Sequence, residues 1–157
     1  MAGDLRAKER AIVTLTSTGA SLTTGSAGSA GTDFDARAAG NAADDLQARF
    51  QLTCQWATIT SIVAGTIAAE LYLVPKLDGT NAPDVDTTAG ASVLPGSTYV
   101  GAFVCTKAPV ANTNMIFVAA ALDILPLLYT AYIIGRAGQT ISANWSLKVV
   151  SAQGQYT

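Results

Sequence analysis

From Leu46 to Trp56 large and small apolar residues (Leu46, Ala48, Phe50, Leu52, Cys54, Trp56) alternate strictly with Gln47, Arg49, Gln51, Thr53 and Gln55. Eleven consecutive residues of period two put one set of side chains on each face of an extended strand; a helix would scatter them around its circumference. A strand with one apolar and one polar face needs a second layer to cover the apolar side. The run therefore commits the chain to packed sheets. Phe50 and Leu52 are expected on the buried face, Arg49 and Gln51 on the other.

Further strand signals follow. Thr66 to Val74 reads as a strand ended by Pro75 and the Asp78-Gly79 turn. Residues 78–96 read as a long polar loop. Ser97 to Thr106 alternates again, with Tyr99, Gly101, Phe103 and Cys105 on one parity. Asn112 to Ala119, Leu128 to Ile134 and Trp145 to Ser151 complete the set, with Gly135–Gly138 read as a hairpin connection between the last two. About six or seven strands separated by turn residues, with no amphipathic helix, predict an all-β fold: an antiparallel β-sandwich of jelly-roll type. Composition agrees. Charged residues are only 13% of the 157, Glu occurs twice, and Ala, Thr and Gly are abundant, which favours closely approaching strands over salt-bridged helices.

The first 45 residues read differently. Ile12 to Thr16 could form one short strand, but Thr23-Thr-Gly-Ser-Ala-Gly-Ser-Ala-Gly-Thr32 has the composition of a flexible linker. The expected division is a flexible, extended N-terminal arm over 1–45 and a β-sandwich domain over 46–157. Asp4 and the lack of an apolar run argue against a secretory signal at the start. Met115 to Ile134 is long and apolar enough to suggest a membrane span, but Asp123 and Pro126 near its centre divide it; no membrane association is expected.

Several chemistries are disfavoured. There is no histidine, which removes His-dependent triads and imidazole metal sites. A net charge of −2 with scattered cations gives no electrostatic drive toward nucleic acid. Cys54 and Cys105 lack CxxC spacing and alternate in step with large apolar residues, as buried thiols do. Asp78, Asp84 and Asp86 could offer oxygen ligands to calcium but lack an EF-hand order; they read as turn residues. Glu70 and Asp123 could act as a glycosidase pair only if roughly 5 to 10 Å apart, and nothing in the sequence brings them together. Tyr72, Tyr99, Tyr129, Tyr132, Trp56 and Trp145 lie on expected strands, with Tyr72 and Trp145 the better candidates for an exposed sugar platform. Gly25, Gly28 and Gly31 are evenly spaced but lack the strand–turn–helix setting of a phosphate loop. No catalytic, cofactor-binding or metal-binding residue is assigned, and no enzyme activity is expected.

Three segments in order, Ala69-Glu-Leu-Tyr-Leu-Val-Pro-Lys-Leu-Asp-Gly79, Tyr99-Val-Gly-Ala-Phe-Val104, and Leu125-Pro-Leu-Leu-Tyr-Thr-Ala-Tyr132 leading to Gly138-Gln-Thr-Ile-Ser-Ala-Asn144, resemble small β-sandwich structural proteins of tailed-bacteriophage virions, most of all capsid cement (decoration) proteins. The resemblance covers roughly residues 46–157. It implies a non-enzymatic virion protein, assembled in the host cytoplasm, that forms a homo-oligomer, a trimer being favoured, and staples the major capsid protein shell. The apolar stretch 122–134 departs from that pattern and leaves a tail or neck role open. A carbohydrate-binding module on the same fold is the alternative from another class.

Overall fold

The computed structural model describes residues 5–37, 45–88 and 93–156. Among them are eleven strand segments and no helix: β1 (Leu5–Glu9), β2 (Val13–Gly19), β3 (Ala27–Ser29), β4 (Phe34–Asp35), β5 (Asp45–Cys54), β6 (Ile67–Lys76), β7 (Thr98–Val104), β8 (Met115–Val118), β9 (Leu122–Asp123), β10 (Leu128–Gly135) and β11 (Trp145–Tyr156). Pairing reduces them to eight strands. β1 and β2 lie end to end along β11, β3 and β4 along β10, and β8 and β9 along β5.

Every pairing is antiparallel, and the order is that of a long hairpin rolled up on itself. The first sheet runs β1/β2–β11–β5–β8/β9, the second β3/β4–β10–β6–β7. The first of the eight strands pairs with the last, the second with the seventh, the third with the sixth and the fourth with the fifth. Rolling then pairs the eighth with the third and the seventh with the fourth, the double Greek key of a jelly roll. The fold is a β-sandwich, as the alternation in 46–56 requires.

The core lies between the sheets. Leu15, Phe50, Leu52, Leu147 and Val149 of the first sheet face Leu71, Leu73, Phe103, Ala131 and Ile133 of the second, all essentially inaccessible. Phe34 meets the edge of Phe50 at 5.8 Å, and Phe103 lies 6.3 Å from Phe117 across the layer. Arg49 is exposed and Gln51 half-buried, as the period predicts. Each fully buried Leu or Phe contributes about 1.5 to 3 kcal/mol, so the sandwich is held chiefly by this layer.

The structure corrects four expectations. Residues 13–37 are not an arm: β2 is the first jelly-roll strand, β3/β4 the second, and Leu15, Leu22, Ala30, Phe34 and Ala36 belong to the core. The opening residues 1–4 lie outside the described residues, as do 38–44. Next, Gly135–Gly138 is no hairpin, because β10 and β11 belong to different sheets; the segment crosses from one layer to the other. The strand expected to stop at Pro75 runs on to Lys76, with Pro75 opposite Tyr129. Finally, the loop after β6 is not simply solvated. Val85 and Leu94 pack on Ala27, Val74, Tyr132 and Ile134, covering part of the outer face of the second sheet, and Asp86 and Val93 bond each other's backbones. Its residues 89–92 lie outside the description.

Candidate functional site

The two outer faces differ. The second sheet carries its own cover in Val85 and Leu94, whereas no described segment of the chain packs over the first. There, alternation along β5 points Arg49, Gln51 and Thr53 outward, and register places Val118 beside Gln51, Ile116 beside Thr53, Lys148 beside Gln51 and Val150 beside Arg49. Ile12 joins them from the β1–β2 junction. Ile12 and Ile116 are each 66% exposed and Val118 59%, and it is their adjacency on one face rather than their single exposure that marks a patch. A groove of about 280 Å³ runs between Ile12, Arg49, Gln51, Val118, Lys148 and Val150. A second of about 260 Å³ continues from the shared walls Arg49 and Val150 toward Glu9, Gln47 and Ala121. Together they form a shallow trough with an aliphatic floor and two cations on its walls. β8 is also the free edge of its sheet, so the trough ends at unpaired backbone groups.

Of the acids singled out from the sequence, Asp84 is exposed and the other four are engaged in the fold. Asp78 accepts from the backbone N–H of Thr80 (2.8 Å) and Asn81 (2.7 Å) and from the Asn81 amide (2.8 Å). These bonds hold its carboxyl below the usual carboxylate range. Asp86 accepts from the Thr88 N–H at 2.8 Å, with the same effect. Both are Asx-type turn acids. Among the described residues no three His, Cys, Asp or Glu side chains gather as a metal site. Glu70 and Asp123 lie on different sheets: Glu70 binds Arg136 Nε at 2.7 Å, and Asp123 accepts from Gln47 Nε2 at 2.9 Å. They are not a catalytic pair.

Trp145, one of the two candidates for an exposed sugar platform, is 2% accessible and donates its indole N–H to the Ala20 carbonyl at 2.7 Å. Trp56 is equally buried, with its ring edge-on to Phe117 at 6.5 Å. Tyr129 and Tyr132 are buried, Tyr72 is half-buried, and Tyr99 is exposed. Both cysteines are free and buried. Burial pushes the Cys54 thiol up to about 12, with the nearby Cys105 thiol adding to the shift. Gly28 lies on β3, and neither Gly25 nor Gly31 opens a helix.

Sequence reasoning missed the trough, because its residues come from four separated strands and only register brings Val118, Lys148 and Val150 beside Arg49. The exposed parity of the β5 run was its one legible wall. No protein-family model matches the chain, and no curated protein does. Among solved structures, the fold comparison returns a chain titled "Structure of infectious bursal disease virus Gx strain", with TM-score 0.42 and 15% identity over 97% of this chain. The present chain spans 33% of that one's length. No helix among the described residues is long and apolar enough to cross a membrane.

Proposed function

We propose that the chain is a non-enzymatic virion structural protein that docks on a bacteriophage capsid shell through the outer face of its first sheet, as a cement or decoration protein. The observation that carries the reading is the asymmetry of the sandwich: among the described residues the chain partly covers one outer face itself and leaves an aliphatic trough on the other. An exposed strip of Ile12, Ile116, Val118 and Val150 on a rigid sheet suits a permanent partner surface, which gains from excluding water there. Arg49 and Lys148 supply direction, favouring an acidic or carbonyl-rich rim on the partner. The resemblance of residues 46–157 to cement proteins supplies the partner, the major capsid protein, and a homotrimer as the working oligomer. The site of action is the virion, reached by assembly in the host cytoplasm.

The test is co-sedimentation with shells of the same virus assembled without this protein. Wild-type protein should pellet with the shells. Ile116→Thr with Val118→Thr keeps β-branched residues on β8, so stability should move by only about 1 kcal/mol or less, while the bound fraction should fall sharply. Full binding by that variant would remove the trough from the mechanism. Failure of the wild-type protein to pellet would remove the shell as partner.

A further inference from the structure

Tyr99 faces the solvent although it shares sequence parity with Phe103, which is buried. A bulge is responsible. Leu71 pairs with Gly101 and Tyr72 with Tyr99, so Val100 is an extra residue on β7, and the side chains before it swap faces. The swap sets Tyr99 across from Tyr72 on the outer face of the second sheet, ring centroids 5.3 Å apart and tilted by 56°, with Tyr99 51% exposed. Two residues back on β6, Glu70 is held from two sides. The Tyr72 hydroxyl donates to Glu70 Oε2 at 3.1 Å, and Arg136 Nε donates to the same oxygen at 2.7 Å. Glu70 Oε1 makes no hydrogen bond among the described residues, and the Arg136 guanidinium also bonds the Tyr72 side chain. The residue opposite Glu70 on β7 is the small Ala102.

We propose that this strip is a saccharide subsite, in which the exposed Tyr99 ring stacks on the C–H face of a pyranose while Glu70 and Arg136 bind its hydroxyls. The chemistry favours a sugar. A hydroxyl both donates and accepts, and the strip offers a fixed acceptor, Oε1, next to a fixed guanidinium whose five N–H donors outnumber its bonds to Glu70 and Tyr72. Carboxylate and guanidinium neutralise one another, so neither an anion nor a cation is preferred. Their mutual bonds and the Tyr72 hydroxyl fix both side chains in advance, which lowers the ordering cost of a weak ligand. One exposed ring flanked by an ion pair is far smaller than the roughly 800 Å² per partner of a stable protein interface. The subsite is independent of shell docking and lies on the opposite side of the sandwich from the trough, so a protein bound through its first sheet would present it outward.

The test titrates the full chain with methyl glycosides of glucose, galactose, mannose and N-acetylglucosamine, followed by amide chemical shifts and saturation transfer. At least one should bind saturably, with Kd of about millimolar order, and shifts should centre on residues 70, 72, 99, 102 and 136. Tyr99→Ala, a surface change that should leave the circular dichroism spectrum intact, should weaken binding about tenfold or more. Tyr99→Trp should retain it, and Arg136→Ala should reduce it independently. Absence of saturable binding by all four sugars would overturn the subsite, as would binding that survives Tyr99→Ala. A Tyr99→Ala protein that loses shell binding or self-association would instead mark the strip as a protein contact. Co-sedimentation with shells reads the docking face separately, so failure of either proposal leaves the other standing.

Discussion

Trp145 owes its burial to the small residues around it. A Cβ built on Gly19, its partner across β2 and β11, would lie 2.1 Å from the indole Cε2, and one on Gly28 would lie 2.5 Å from Leu22 Cδ2 and 3.2 Å from the indole Cζ2. Gly19→Ala should therefore force the indole out of its slot and off the Ala20 carbonyl, costing about 3 kcal/mol or more; a thermal midpoint lowered by roughly 6 to 12 °C would register it. Leu52→Ala should cost about 2 to 5 kcal/mol, while Gln51→Ala on the trough side should stay within about 0.5. The Cys54 thiol gives a pH dependence. Its pKa is raised in the fold, so between about 8.5, where the unfolded thiol ionises, and about 12, the folded value, the unfolded state binds fewer protons. Stability should fall as pH rises through that window, by up to about 1.4 kcal/mol per unit. Cys54→Ser or Cys54→Ala should flatten the slope of urea midpoints against pH, and an unchanged slope would assign the alkaline loss elsewhere. At this scale the sequence was legible where parity held unbroken, as at Phe50 and Leu52. It misled at Tyr99, because a bulge leaves no mark in the alternation, and it could not show what buries Trp145, because the glycines that make room for it lie more than a hundred residues away.

The elements tell the same lesson with the N-terminal segment. Gly, Ser and Ala between Gly19 and Gly31 have the composition of a linker, yet part of that smallness is demanded by Trp145 and Leu22. Composition cannot separate a tract that is small because nothing packs on it from one that is small because something large does. The result is two of eight strands, β1/β2 on β11 and β3/β4 on β10. Deleting residues 1–40 would strip one side of β11 and one side of β10 and remove Leu15, Leu22, Ala30, Phe34 and Ala36 from the core. The truncated chain should lose its cooperative thermal transition and near-ultraviolet circular dichroism. A truncation that melts cooperatively near the wild-type midpoint would show that β5 to β11 form a stable unit alone. The strands from β5 onward, apart from the two-residue β9, were legible because each carries large apolar residues at period two or in a buried run. Which sheet each joined was not, since local pattern does not encode long-range pairing.

Across the whole molecule, one layer of side chains serves both sheets, and the two tryptophans report on it from separate places. Trp56 follows the end of β5 and packs on Phe117, while Trp145 opens β11 against β2 and β3. The smaller cluster of Ala27, Val74, Tyr132 and Ile134 is built on the strands of the second sheet itself, so urea transitions followed by tryptophan fluorescence and by far-ultraviolet circular dichroism should coincide. Their separation would reveal an independently stable subunit of the fold. The nested hairpin also sets a timetable for synthesis. β2 leaves the ribosome about 140 residues before β11, its sheet partner among the described residues, is complete, an interval of roughly 7 to 30 s at about 5 to 20 residues per second. Throughout that wait the first strand is a pairable β-segment without its mate, and neighbouring nascent chains on the same message carry the same segment. A protein made in quantity from such a message is exposed to mispairing between chains before it is ever exposed to unfolding, so its yield depends on how quickly β11 follows.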